Sequence, residues 1–179
     1  MFPVKDSHLA AIGVQPELRS LYLEPLNAAM DEHSIRSGER PAMFVAQIAH
    51  ESGRFRYTSE LWGPTKQQLR YDDNGALARA LGNAPGEGYA YRGHGLIQIT
   101  GYYNHKAVAK HFGIDMRDIV EWLTSPPGAC RSAAHFWLSH GCNELADRFD
   151  FVGITRRING GLNGLADRTA LYKTLTALK

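Results

Sequence analysis

A mainly α fold is predicted by three features of this 179-residue sequence. Apolar residues recur at helical spacing through most of it, glycine and proline punctuate those stretches, and neither an internal repeat nor a low-complexity linker interrupts them. The length suffices to bury one substantial core, so a single domain over 1–179 is expected, with two lobes about a cleft.

Taken in order, helices are expected over Glu17–His33, Pro41–Ser52, Thr65–Asp72, Tyr102–His111, Met116–Leu123, Ala129–His140 and Leu165–Leu178. Pro25 inside the first pattern predicts a kink or a split, because proline offers no backbone N–H. Pro41 stands in a first turn, where that missing N–H is harmless. The second helix stops where Gly53 follows Ser52, as a C-terminal glycine cap does. From Gly82 to Gly101, the six glycines of GNAPGEGYAYRGHGLIQITG exclude a helix. Tyr89, Tyr91, Arg92, Ile97 and Ile99 are too bulky and interleaved for a flexible linker. A structured loop or small hairpin forming a cleft wall is expected there.

Composition narrows the function classes. Hydrophobic residues at 44% and charged residues at 21% are those of a globular protein. Twenty Lys and Arg against 18 Asp and Glu leave a net charge of +2. That is too little to mark a nucleic-acid binder and is compatible with a weakly acidic polymer. No stretch approaches the roughly 18 apolar residues of a membrane span. The sequence Met1-Phe2-Pro3-Val4-Lys5-Asp6 has no apolar secretory region, so accumulation in the cytoplasm is expected. Cys130 and Cys142 are too few for a disulfide framework and lack CxxC spacing, which makes them two reduced thiols that do not pair.

The chemistry starts at Glu51. At about 100° per residue, Phe44, Ile48 and Glu51 lie within about 60° of one another on a helix, so a carboxylate ends an apolar stripe. Beside buried apolar groups the ionised form is disfavoured, as a general acid at neutral pH requires. The plain alternative is a stripe-edge Glu paired with an Arg. Glycoside hydrolysis needs a second carboxylate across the scissile bond. Glu60 lies nine residues on, beyond the helix stop, with Asp72, Asp73 and Glu87 as other acids in reach.

Three segments, in order, carry a resemblance. His50-Glu51-Ser52-Gly53-Arg54-Phe55 is the first. The second is Gly82-Asn83 with the run from Pro85 to Gly101, and the third is Ile158-Asn159-Gly160-Gly161. Over roughly Phe44 to Tyr172 the chain resembles glycoside hydrolase family nineteen. The resemblance implies a lysozyme-like, two-lobed helical fold, with 1–179 as one catalytic domain and Glu51 as general acid. It implies that Glu60 is the base of an inverting displacement, that Thr100 helps hold the water, and that Gln98, Tyr103, Asn104 and Asn159 contact sugars. Arg168 matches the Arg that pairs with the catalytic carboxylates. Taken alone, Tyr103 reads equally as helix packing, Gln98 as a turn cap and Arg168 as a surface charge.

The short interval between the two Glu residues resembles the phage and prophage endolysin branch rather than the plant chitinases, whose second Glu lies further on. That branch implies hydrolysis of peptidoglycan between N-acetylmuramic acid and N-acetylglucosamine by a monomer without metal or cofactor. It also implies synthesis in the bacterial cytoplasm and release to the wall by a separate holin-type membrane protein.

Other readings have less support. A zinc peptidase motif His-Glu-x-x-His would need a His at position 54, which is Arg. A cysteine nucleophile is disfavoured because Cys130 sits in an apolar helical pattern. A wall-binding module without activity would be expected to lack one of the carboxylates. Within the hydrolases, a chitinase is the runner-up.

Overall fold

The computed structural model describes residues 2–178, among which eleven helices follow one another and β pairing is confined to isolated bridges. Helix α1 is Asp6–Ala11 and α2 is Pro16–Glu32. Contrary to the expected kink or split, α2 runs as one helix through Pro25. Pro25 cannot donate to the Leu21 carbonyl, but Leu21 is 55% exposed, so water can take the bond.

Helix α3 is Arg40–Glu51, and every side chain from Pro41 to Ala49 is buried. A helix apolar all round belongs in the interior, so the stripe of Phe44 and Ile48 is one side of a central rod. Phe44 meets the edge of Trp137 at 5.4 Å between centroids, and α3 packs along α11 (Leu165–Thr176). Burial of a side chain like Phe44 is worth about 1.5–3 kcal/mol.

The segment expected as a helix over Thr65–Asp72 keeps a single turn, α4 (Lys66–Leu69), capped where Thr65 Oγ1 accepts the Gln68 N–H at 3.2 Å. Turn chemistry then takes over, with Asp73 Oδ1 accepting the Gly75 N–H at 2.7 Å. Helix α5 is Ala76–Leu81, α6 is Tyr102–Phe112 and α7 is Ile119–Thr124. The last begins later than Met116 because Asp115 folds 115–118 into a turn, accepting the Arg117 N–H at 2.8 Å. Helix α8, Pro126–Ser139, starts three residues before Ala129. Ser125 caps it, accepting the Gly128 N–H at 3.2 Å, and Pro126 and Pro127 fill its first turn. Helices α9 (Cys142–Asp147) and α10 (Phe151–Asn159) precede α11, which stops at Thr176 rather than Leu178.

Two apolar clusters result. The larger joins α1, α2, α3, α8, α9, α10 and α11. The smaller gathers Val108 and Ala109 of α6 with Ile119 and Leu123 of α7. These are the two lobes, and a cleft of about 470 Å³ separates α6 from α8 and the end of α10. The expected hairpin is present in miniature. His94 and Ile99 exchange backbone bonds of 3.0 and 2.7 Å, while Ser59 pairs with the other edge of His94. Gln98, Ile99 and Thr100 of this hairpin form one wall of the cleft.

Candidate active site

Glu51 is the last residue of α3, and α11 brings Arg168 against it. Arg168 is wholly buried and is therefore not the surface charge that its place in the last helix allows. Its Nη2 donates to Glu51 Oε1, its Nη1 to Gln47 Oε1 at 2.5 Å, and its Nε to the Asn163 carbonyl at 3.2 Å. Gln47, itself buried, passes the link on by donating to Thr155 Oγ1 of α10 at 2.9 Å. The Glu51 side chain stays 19% exposed, enough to meet a substrate.

A second brace stands beside the first. Asp167 accepts from Arg54 at 2.7 and 3.1 Å and meets His50 Nδ1 at 2.6 Å. The Arg54 hydrogen bonds, helped by His50 and opposed by burial, hold its carboxyl below the usual range. Gly164, which caps the start of α11, has φ 72°, and a Cβ there would fall 2.2 Å from His50 Nε2. Glycine is what lets this turn pass the end of α3.

Glu60 is anchored differently. Its N–H donates to the Gly93 carbonyl at 2.7 Å and its Oε2 accepts the Gly93 N–H at 3.0 Å. Its Oε1 accepts from Gln68 Nε2 of α4 at 2.9 Å. The glycine-rich segment and a one-turn helix thus fix this carboxylate. Aromatic rings surround the loop. Trp62 lies 5.5 Å from Tyr89 and 6.2 Å from Tyr71, and the Arg92 guanidinium covers Tyr89 at 4.1 Å.

Gln98, Thr100 and Asn104 come together in the lining of the cleft. Thr100 Oγ1 donates to the Gln98 carbonyl at 3.0 Å, and Asn104 Nδ2 donates to the Thr100 carbonyl at 2.7 Å. Gln98 also caps the hairpin turn, donating to the Gly95 carbonyl at 2.9 Å. Beneath them His94 and His105 are buried and linked at 2.9 Å, and His105 bonds the Gly101 carbonyl at 2.8 Å. Tyr103 is 59% exposed and lies over Gly82 outside this lining. Asn159 ends α10, and its buried Oδ1 has no partner among the described residues. Glu51 and Glu60 are not among the residues lining the 470 Å³ cleft.

The competing acids are engaged in their own loops. Asp72 accepts the Gly88 N–H at 2.5 Å and Glu87 accepts the Ala84 N–H at 2.8 Å, as Asp73 does for Gly75. Both cysteines are free and buried, and burial pushes the Cys142 thiol up to about 12 and Cys130 up as well. A nucleophilic thiol needs the opposite shift. Among the described residues no group of three or more His, Cys, Asp and Glu is placed to hold a metal, and no helix is long and apolar enough to cross a membrane.

The sequence reading passes over Gln47, Asp167, Trp62 and the α8 edge of the cleft. Gln47 offers the one available signal, a polar residue inside an otherwise apolar run.

No protein-family model matches the chain. A protein of Haemophilus influenzae, described as a glycosyl hydrolase family 19 domain-containing protein, is 34% identical over 178 residues, covering 85% of this chain and 86% of that one. An endochitinase of Arabidopsis thaliana is 35% identical over 121 residues, and there the chain spans only 39% of the relative's length. Among solved structures, chitinase C of Streptomyces griseus superposes with a TM-score of 0.74 over 98% of this chain and 76% of that one, at 21% identity. A bacterial family 19 chitinase superposes at 0.72 over 99% and 95%, also at 21%. Those two likenesses establish the fold. The Haemophilus relative, matched along most of both chains, establishes the rest, and this protein belongs to glycosyl hydrolase family 19 and is a glycoside hydrolase.

Proposed function

We propose that the chain cleaves the bond between N-acetylmuramic acid and N-acetylglucosamine in bacterial peptidoglycan, by an inverting displacement with Glu51 as acid and Glu60 as base. The observation that carries this is the fully buried Arg168, which donates to Glu51 Oε1 while the Glu51 side chain stays partly exposed. A proton donor must be positioned before it can act.

The water oxygen forms a bond to the anomeric carbon as the bond to the leaving sugar oxygen breaks. Glu60 receives the water's proton and Glu51 gives its own to the leaving oxygen. Solvent exchange then resets both. Thr100 has given its hydroxyl hydrogen to the Gln98 carbonyl, so its lone pairs are free to orient that water. Asn104 likewise keeps its Oδ1 for a sugar hydroxyl. Tyr103, with its exposed ring, offers a face to sugar C–H groups.

The peptidoglycan assignment rests on the nine-residue interval between the carboxylates and on a bacterial relative matched over most of its length. In this reading the protein is a monomeric endolysin, made in the bacterial cytoplasm and released by a separate holin-type membrane protein. Chitin is the second reading, favoured by the relatives named endochitinase and the solved chitinases. The test is to incubate the protein with purified peptidoglycan and with chitin oligomers and to follow reducing ends by early-time NMR. The α-anomer from peptidoglycan, formed first and faster than from chitin, is expected. A first-formed β-anomer removes the base role from Glu60, and faster chitin cleavage replaces the substrate.

A further inference from the structure

The second edge of the cleft is built from the end of α8. Phe136, Ser139 and His140 line it, facing the neutral side chains of Gln98, Thr100 and Asn104. The His140 ring stacks on Phe136 with centroids 3.7 Å apart and an interplanar angle of 16°. Its Nδ1 lies 2.8 Å from the Phe136 carbonyl, which can only accept, so Nδ1 carries a hydrogen. In the tautomer that this bond selects, Nε2 is the acceptor nitrogen of the ring.

Arg157 of α10 reaches this edge through its bond to the His140 carbonyl and is not itself among the residues lining the cleft. One of its nitrogens, Nη1, donates to the His140 carbonyl at 2.7 Å, while the residue remains exposed and forms no ion pair among the described residues. Ile158, the next residue, lines the same cleft. The carboxylate of Glu144 stands on the neighbouring turn, against Gly141, and is not among the ion pairs of the described residues. A guanidinium has five N–H donors in a fixed fork and is suited to a carboxylate. Here one bond locates it and the others remain.

A glycan of N-acetylglucosamine carries no anion for such a group. A peptidoglycan strand does, because the lactyl group of each substituted muramic acid bears a stem peptide with free carboxylates, and the peptide also supplies amide N–H donors. We infer that Arg157 and His140 form a subsite for the stem peptide of the glycan strand, Arg157 taking a carboxylate and His140 Nε2 an amide N–H. The inference rests on the peptidoglycan reading above and names which part of that substrate the cleft distinguishes.

The test compares kcat/KM on soluble glycan strands whose stem peptides have free carboxylates with the value on the same strands after those carboxylates are converted to methyl amides, which removes the anion and keeps the peptide. The parent protein is expected to favour the free-carboxylate strands by about two- to five-fold, the range of an exposed ion pair. The preference should shrink in 0.5 M NaCl, where screening is strong. Arg157→Ala should abolish it and Arg157→Lys should restore most of it, with cleavage of the amidated strands unchanged by either. Arg156→Ala removes an equal charge about 100° away on the same helix and should leave the preference intact. No preference in the parent protein, or a preference that survives Arg157→Ala, overturns the subsite, as does an equal loss with Arg156→Ala. If the parent protein cleaves neither strand but does cleave chitin oligomers, the peptidoglycan reading falls together with it.

Discussion

Arg168 is a guanidinium with no water around it, and three acceptors take its place: the Glu51 carboxylate, the Gln47 amide and the Asn163 carbonyl. Arg168→Met should therefore cost about 2–4 kcal/mol of stability, because it leaves a carboxylate and an amide oxygen behind without their cation. Glu51→Gln keeps the shape and an acceptor for Arg168, so it should lower glycoside hydrolysis by about 10²–10⁴-fold while the urea midpoint barely moves. Comparable stability for Arg168→Met and the parent, or near-parent activity for Glu51→Gln, removes these assignments. His94 makes a different prediction. Burial first, then His105 and Arg92, push its pKa from 6.5 down to about 3. The folded state therefore resists a proton that the unfolded chain accepts, and the stability present above pH 6.5 is lost as pH falls toward 3. At pH 5 the loss from His94 alone is about 2 kcal/mol. Urea unfolding at pH 7.5 and pH 5 measures it, and His94→Asn should flatten the difference. An unchanged pH slope in that variant would show that His94 is not the titrating group.

Helix α4 has four residues, too few to stand alone, and exists to carry one amide to Glu60. Thr65 and Gln68 form its capping box, and Gln68 also bonds the Leu61 carbonyl at 2.8 Å. Two substitutions separate support from positioning. Thr65→Ala removes the cap alone and should cost about 1 kcal/mol with little change in kcat. Gln68→Ala also removes the amide donor on Glu60 Oε1 and leaves the Gly93 N–H on Oε2 to hold the carboxylate, so kcat should fall about ten-fold at nearly constant KM. Equal kinetics for the two variants would mean that α4 only shapes the loop. The helices that the sequence reading leaves out, α1, α5, α9 and α10, show where periodicity runs short. Three of them have six residues, less than two turns. Helix α10 is longer and carries signals that the sequence reading passes over, Phe151, Ile154 and Ile158 on one face between Asp150 and Gly160, and in the structure Asp150 caps it at 2.7 Å and Gly160 ends it with φ 73°.

At the scale of the molecule, the two apolar clusters leave the cleft between them, and the hairpin and α8 wall it. Ala107 lies in that wall on the exposed side of α6. Ala107→Trp should fill the cleft, raising KM for the polymer about ten-fold or more while leaving the unfolding midpoint near that of the parent. Unchanged polymer kinetics would place the glycan outside this cleft.

By itself the sequence determined the helical class, the place of most long helices and the glycine-rich wall, because periodicity and glycine density are local properties. The resemblance over Phe44 to Tyr172 added Arg168. Only the tertiary structure decided that α3 is buried all round, that Arg168 holds Gln47 as well as Glu51, and that Glu60 is tied to Gly93, 33 residues away. Those are contacts between segments distant in the chain. Their geometry follows from how α3, α10 and α11 pack, and no spacing within a single helix encodes it.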